Sequence, residues 1–358
     1  MRPLPIVRVS VALCSLIACR QILDIDDLSE NSPPNDVTVS STFTVANRVA
    51  GGETLTGIWG SDDFVVTVGT SGVSYFYDHD RFERVGGNAK GRDFAAVSGH
   101  SKSDIYTAGT STSGGFVSHS DGHEWRVIYE TDTPLHGVWC VPNAHGAVIV
   151  VGDRGTILGY DATRKTWSKF ATMPKAKGEE NVPNAPILWS ISGQSIDDFS
   201  IAGSGQTYHW EPALEGFANY RVINYGGVSF RAVWQLRGPA SNALFGTNYS
   251  GAMWFSGAGG SDHDASADAG VTYRFNEFGR DETEEGAANR FTTGVWGTAE
   301  KFITVDDHGR IRTHDLGTLA TKRLPAPTDE PLNGIWGKSL DDIWIVGSSE
   351  LILRGTIR

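Results

Sequence analysis

Four arginines, Arg92, Arg154, Arg231 and Arg310, stand at loops or strand starts in different stretches of this chain. Gathered by a fold, they could hold a substrate carboxylate, because a guanidinium fork matches two oxygens at once. They do not recur at one motif position, and no Tyr/Glu pair is marked beside them as nucleophile and base. Solvated or salt-bridged arginines are therefore the plainer expectation. The 10 histidines are scattered, with no HxH and no HExxH, so metal catalysis has no support. His119 and His209 each follow a glycine by four residues, a place that Phe76 and Phe255 fill elsewhere. That equivalence predicts a packing position. No cofactor is expected.

Carboxylates crowd one region. GAGGSDHDASADAG carries Asp262, Asp264 and Asp268, and residues 257–288 hold 8 acidic and 2 basic residues, a net of -6. Such oxygens could bind calcium, a hard cation, but the spacing is not that of an EF-hand loop. An acidic surface loop is the simpler expectation. Of the three cysteines, Cys14 and Cys19 fall in the first twenty residues, leaving Cys140 alone in the body. No internal disulfide can form there, and with no base identifiable near it Cys140 is expected to be a buried, inert thiol.

What must position all these groups is a repeat. GIWG at Gly57 recurs as AVSG (Ala96), GVWC (Gly137), SISG (Ser190), AVWQ (Ala232), GVWG (Gly294) and GIWG (Gly334). The third letters, at 59, 98, 139, 192, 234, 296 and 336, are mostly spaced near 40 residues, with two longer intervals. After each anchor comes a polar turn (SDD, SKSD, QSIDD, KSLDD), then an apolar strand that usually ends in Gly, then a third strand, then a more polar fourth. Each unit reads as a four-stranded antiparallel meander. Ile58 and Trp59 are neighbours on a strand, so they point to opposite faces, and both are large and apolar. Both faces are then buried, as in sheets sandwiched between other sheets. The glycines closing the second strand, Gly69, Gly109, Gly152, Gly203, Gly246 and Gly347, are expected where a turn needs positive φ. The Asp-rich turns suit Asx hydrogen bonds.

The last unit lacks a fourth strand, and STFTVANRV, before the first anchor, looks like an orphan one. The N-terminal strand then completes the last sheet. The predicted fold is all-β: a seven-bladed β-propeller over residues 41–358, with Trp59, Trp139, Trp234, Trp296 and Trp336 as structural anchors. The second and fourth anchors lack Trp, which leaves six or eight blades open.

The N-terminus carries an address. Arg2 and Arg8 precede an apolar run from Val9 to Ala18, too short to span a bilayer as a helix. Leu16-Ile17-Ala18-Cys19 resembles the bacterial lipobox. That resemblance implies cleavage after residue 18, acylation of Cys19 and membrane anchoring. Arg20 then leans towards the outer rather than the inner membrane. Residues 19–40 are acidic, then Ser/Pro/Asn-rich, and read as a flexible tether.

The repeat resembles Gram-negative secreted and lipidated propellers with WG-S-x-DD-x-W-x-V-G units. It is also similar to photosystem II assembly-factor propellers and sialidase-like Asp-box proteins. SHSDGHEW, ending in Trp125, nears the Asp-box with its Asp one place late, and YDATRKTW, ending in Trp167, lacks the intervening Gly. The formal charge of -12 repels phosphate, so nucleic-acid binding is not expected. Together these features predict a non-catalytic, lipid-anchored, monomeric propeller of the bacterial envelope that binds a protein or glycan partner through its blade loops. The alternatives are a sialidase-like glycoside hydrolase or polysaccharide lyase, and an assembly or scaffold factor for an envelope complex.

Overall fold

FVVTVG (Phe64–Gly69) and VIVVG (Val148–Gly152) are buried at every residue. A strand hidden on both faces needs apolar cover on each side, and only neighbouring sheets supply it. Each Val or Ile fully buried in this way stabilises by roughly 1.5–3 kcal/mol. The outer strands behave differently: RFER (Arg81–Arg84) and TWSK (Thr166–Lys169) are largely exposed.

The computed structural model describes residues 41–358 apart from 63, 79, 145, 172–185, 205, 213–215, 221–229, 237–241, 248–251, 257–273, 278–290 and 319. Cys14, Cys19, the tether, and Asp262, Asp264 and Asp268 lie outside the described residues.

Strand β1 (Ser41–Asn47) begins the compact unit Ser41–Arg358. Sheet one contains β2 (Leu55–Ser61), β3 (Phe64–Gly69), β4 (Ser74–Asp78) and β5 (Arg81–Arg84). Sheet two contains β6 (Asp93–Ser101), β7 (Asp104–Ser111), β8 (Gly114–Ser120) and β9 (Trp125–Thr131). Sheet three follows with β10 (Leu135–Cys140), β11 (Val148–Gly152), β12 (Ile157–Asp161) and β13 (Thr166–Lys169). Sheet four is β14 (Leu188–Ser195), β15 (Asp198–Gly203), β16 (Gln206–Glu211) and β17 (Gly216–Tyr220). Sheet five is β18 (Phe230–Leu236), β19 (Asn242–Thr247), β20 (Ala252–Ser256) and β21 (Arg274–Glu277). Sheet six is β22 (Thr292–Gly297), β23 (Lys301–Asp306), β24 (Ile311–Asp315) and β25 (Thr321–Leu324). The last sheet runs β26 (Leu332–Ser339), β27 (Asp342–Gly347), β28 (Ile352–Ile357) and then β1.

The described residues thus form seven four-stranded sheets, all with antiparallel pairing between sequential strands. Their first strands touch in the order β2, β6, β10, β14, β18, β22, β26, and β26 returns to β2. The sheets stand in a closed ring. Closure is the pairing of β1 with β28, from Ser41 opposite Ile357 to Asn47 opposite Ile352. Phe43, the buried residue of β1, lies against Gly355, where a Cβ would meet its ring at 2.4 Å.

The anchor motif is explained by how one sheet seats on the next. The indole of Trp59 lies on Gly99 of sheet two, where an added Cβ would stand 2.8 Å from the ring. Trp336 covers Gly60 in the same way, Trp139 covers Gly193, and Trp296 covers Gly337. The Trp234 Nε1–H donates to the Gly297 carbonyl at 3.1 Å. Two repeats carry Ser in place of Trp, and there the following sheet carries a larger residue in place of Gly. Ser98 Oγ accepts from Cys140 N at 3.0 Å, and Ser192 Oγ accepts from Gln235 N at 3.0 Å. A large side chain on one sheet is thus matched by an absent one on the next, and a small one by a larger, at every junction. The replacement of Gly by Cys140 is half of such a match.

Three expectations need correction. The glycines closing the second strands do not have positive φ: Gly69 and Gly152 are extended, at φ -164 and -167. They are required by close approach, since a Cβ on Gly69 would lie 2.1 Å from the Thr54 carbonyl oxygen and one on Gly152 2.2 Å from that of Pro134. Three of the turns after the anchors are closed by serine rather than aspartate. Ser101, Ser195 and Ser339 accept from the backbone N–H two residues on, whereas Asx bonds appear in the outer hairpins at Asp121, Asp161 and Asp315. Finally, His119 and His209 do more than pack: each also faces the acid that begins the second strand. Asp104 meets His119 at 3.0 Å, Asp198 meets His209 at 3.5 Å, and Asp342 meets Arg354 at 2.9 Å, each from the equivalent place in its sheet. Phe76 takes the same place in sheet one, buried and packed on Phe64 and Trp125.

Candidate functional site

Each first strand contains a β-bulge at the same place. The register shifts at Thr56, Ala95, His136, Trp189, Arg231, Thr293 and Asn333. A bulge turns one side chain out of the regular alternation and is a common way to aim a residue into a site. The residue before each bulge, Leu55, Phe94, Leu135, Leu188, Phe230, Thr292 or Leu332, is buried at 0–1% exposure and pins the strand below. All of the bulge residues except Asn333 line a central channel of about 930 Å³. Beneath them the channel is collared by Ile58, Val97, Val138, Ile191, Val233, Val295 and Ile335, one β-branched residue from each sheet.

At three junctions the bulge side chain is structural. Thr56 Oγ1–H donates to the Phe94 carbonyl at 2.6 Å, Thr293 Oγ1–H to that of Leu332, and Asn333 Nδ2–H to that of Leu55 at 2.9 Å. Each ties its sheet to the next. Sheets three, four and five break this rule. His136 packs on Trp189 at a tilt of 41° with ring centroids 4.6 Å apart, and Arg231 lies over Trp189 at 3.8 Å and over Phe291 at 5.1 Å. His136 Nε2 pairs with Asp153 at 2.7 Å. Burial pulls the Arg231 guanidinium below its ordinary pKa, and the Asp307 carboxylate partly offsets this. It remains charged, since no accessible pH deprotonates arginine.

The other candidate residues are dispersed. Arg92 pairs with Glu130 at 2.6 Å and lies over Phe116. Arg154 occupies a tight turn at φ 55, and Arg310 precedes β24. Of the four arginines only Arg231 lines the channel. Cys140 is free and buried, its thiol pushed far up by desolvation. Among the described residues no group of three His, Cys, Asp or Glu could hold a metal ion. The bulge row escaped the sequence reading. Its signal was the position just before the anchor, where the repeats diverge: Thr, Ala, His, Trp, Arg, Thr, Asn.

A ring of four-stranded sheets, first strands inward around a channel, decides the class. The fold is a β-propeller. No protein-family model matches the chain, and no curated protein matches it in sequence. Solved propellers do match in shape. The structure of YCF48 bound to D1 peptide superposes with a TM-score of 0.62 at 11% identity, over 88% of this chain and 96% of that one. YCF48 from Cyanidioschyzon merolae gives 0.64 at 13% identity, over 88% and 98%. Virginiamycin B lyase from Staphylococcus aureus gives 0.67 at 10% identity, over 88% and 99%. At such identities the likeness is one of fold, which hosts both binding proteins and enzymes.

Proposed function

We propose that this propeller is a membrane-anchored binding protein of the bacterial envelope, held by acylated Cys19, whose partner is a protein gripped at the mouth of the channel where His136, Trp189 and Arg231 lie. The observation that carries the reading is the lining itself. The described lining residues present aliphatic and indole surface, hydroxyls, amides, two histidines and the cations Arg231 and Lys338, and no carboxylate or phenol. That inventory can hold a ligand, but it offers no carboxylate pair or Tyr/Glu couple for glycoside cleavage. Apolar collars beside a cation suit polypeptide side chains better than a polyhydroxylated glycan, whose hydroxyls each ask for a partner. The bound peptide in one YCF48 structure is consistent with a propeller in such a role.

Photo-crosslinking in the native host tests this directly. A crosslinker at Ala95, in the mouth, is expected to yield a discrete protein adduct, whereas one at exposed Glu83 on β5 is not. Matching adducts at both positions, or none at Ala95, would remove the reading. Mass spectrometry of the mature N-terminus is expected to find acyl chains on Cys19; an unmodified terminus there would remove the anchor.

A further inference from the structure

The stack at the channel mouth has an unmet electrostatic demand. Arg231 is half-buried, and among the described residues its near neighbours are the aromatic faces of Trp189 and Phe291, with no carboxylate in ion-pair contact. The carboxylate acting on it, Asp307, already accepts the Phe291 N–H on Oδ1 at 3.0 Å and pairs with His308 through the same oxygen at 2.8 Å. A charge taken partly out of water with no carboxylate in contact is costly, and a bound anion relieves that cost. Contact with the Trp189 face at 3.8 Å restrains the guanidinium, so less order has to be gained on binding. The buried Trp189 Nε1–H also lacks an acceptor among the described residues. The protein carries a net charge of -12, yet the charged groups among the described lining residues are cations. Directly below the rim is the aliphatic collar, and a channel of about 930 Å³ is of the size that takes small ligands.

We infer that the Arg231–Trp189–His136 rim is a subsite for the carboxylate of a small organic acid, whose apolar body rests on the aliphatic collar. His136 is a positioning residue: its Nε2 is held by Asp153, and its ring supports the indole on which the guanidinium lies. The subsite shares its rim with the proposed protein contact, but titration with a free acid reads it directly, so failure to capture a partner leaves it standing.

Calorimetric titration of the full chain with phenylacetate and with phenylacetamide tests the subsite. The two probes share an apolar body and differ in charge. Phenylacetate is expected to bind at least tenfold more tightly than the amide. Arg231→Gln is expected to lose that preference, and Arg231→Lys to keep part of it, because an ammonium retains the charge but not the fork. Equal binding of acid and amide to the wild type, or no binding of either, overturns the inference without recourse to any variant. An undiminished preference in a folded Arg231→Gln protein overturns the role of Arg231.

Discussion

Alanine at position 99 would place its Cβ 2.8 Å from both Cη2 and Cζ3 of Trp59 and 3.1 Å from Cε3, and these are its three nearest neighbours. Ordinary contact begins near 3.4 Å, so the indole must retreat by about half an ångström within a junction packed like a protein interior. Trp59 lies against the buried cluster containing Phe64, Val66, Val97 and Ile105, so it has little room to move. Overpacking of this kind costs about 1–3 kcal/mol. Taken alone, glycine to alanine within a strand would stabilise by roughly 0.5–1 kcal/mol, so any loss reports the clash. The cycle is completed by Trp59→Ser, which removes a large aromatic and costs about 3 kcal/mol. In that background Gly99→Ala is expected to cost nothing or to stabilise, since a small residue then faces a larger one, as Ser98 faces Cys140. Guanidinium unfolding of the four proteins therefore should show a coupling of about 1–3 kcal/mol of relieving sign. Additive costs within about 0.5 kcal/mol would refute the seating of indole on glycine as the reason for the motif.

Phe43→Ala removes the buried ring that seats β1 on Gly355 and is expected to cost about 3 kcal/mol by chemical denaturation. Deleting residues 41–49 should uncover the edge of β28 and drive association, visible by size-exclusion chromatography; an unchanged monomer peak would contradict closure. His314 is buried between Thr304 and Thr321, and burial and Arg312 depress its pKa from 6.5 to about 3. The folded imidazole stays neutral while the unfolded one takes a proton below 6.5, so stability is lost as pH falls from 6.5 towards 3, by about 2 kcal/mol at pH 5. The stability gap between wild type and His314→Gln should shift by that amount between pH 7.5 and pH 5, and parallel curves would contradict it. The Cys140 thiol is expected to resist a thiol reagent in the native protein and to react fully in denaturant; rapid native reaction would show that it is not enclosed.

The ring was legible because its information is local and repeated. Apolar runs such as FVVTVG, a two-faced anchor and a polar turn recur in a fixed order, and the unmatched strand at the front pointed to its place beside Ile352–Ile357. Details that depend on two sheets meeting were not legible. Gly69 looked like a turn residue because nothing local announces that Thr54 crosses over it. His119 looked like a packing residue because its partner, Asp104, is met across a hairpin. Arg231 was one of four dispersed arginines until the bulges showed that Trp189 and His136, from two neighbouring sheets, stand in the same row. The acidic segment at Asp262, Asp264 and Asp268 lies outside the described residues.

The last sheet has a consequence for how the molecule is made. Thr44 donates to the Arg354 carbonyl across 310 residues, so β1 has no mate until almost the entire polypeptide has been synthesised. A chain synthesised amino-end first must carry that strand unpaired while six complete sheets assemble behind it. Bringing such distant segments together is slow, and the waiting intermediate presents bare strand edges. The risk of misassembly is thus greatest at the end of synthesis, when one short strand has still to find its place.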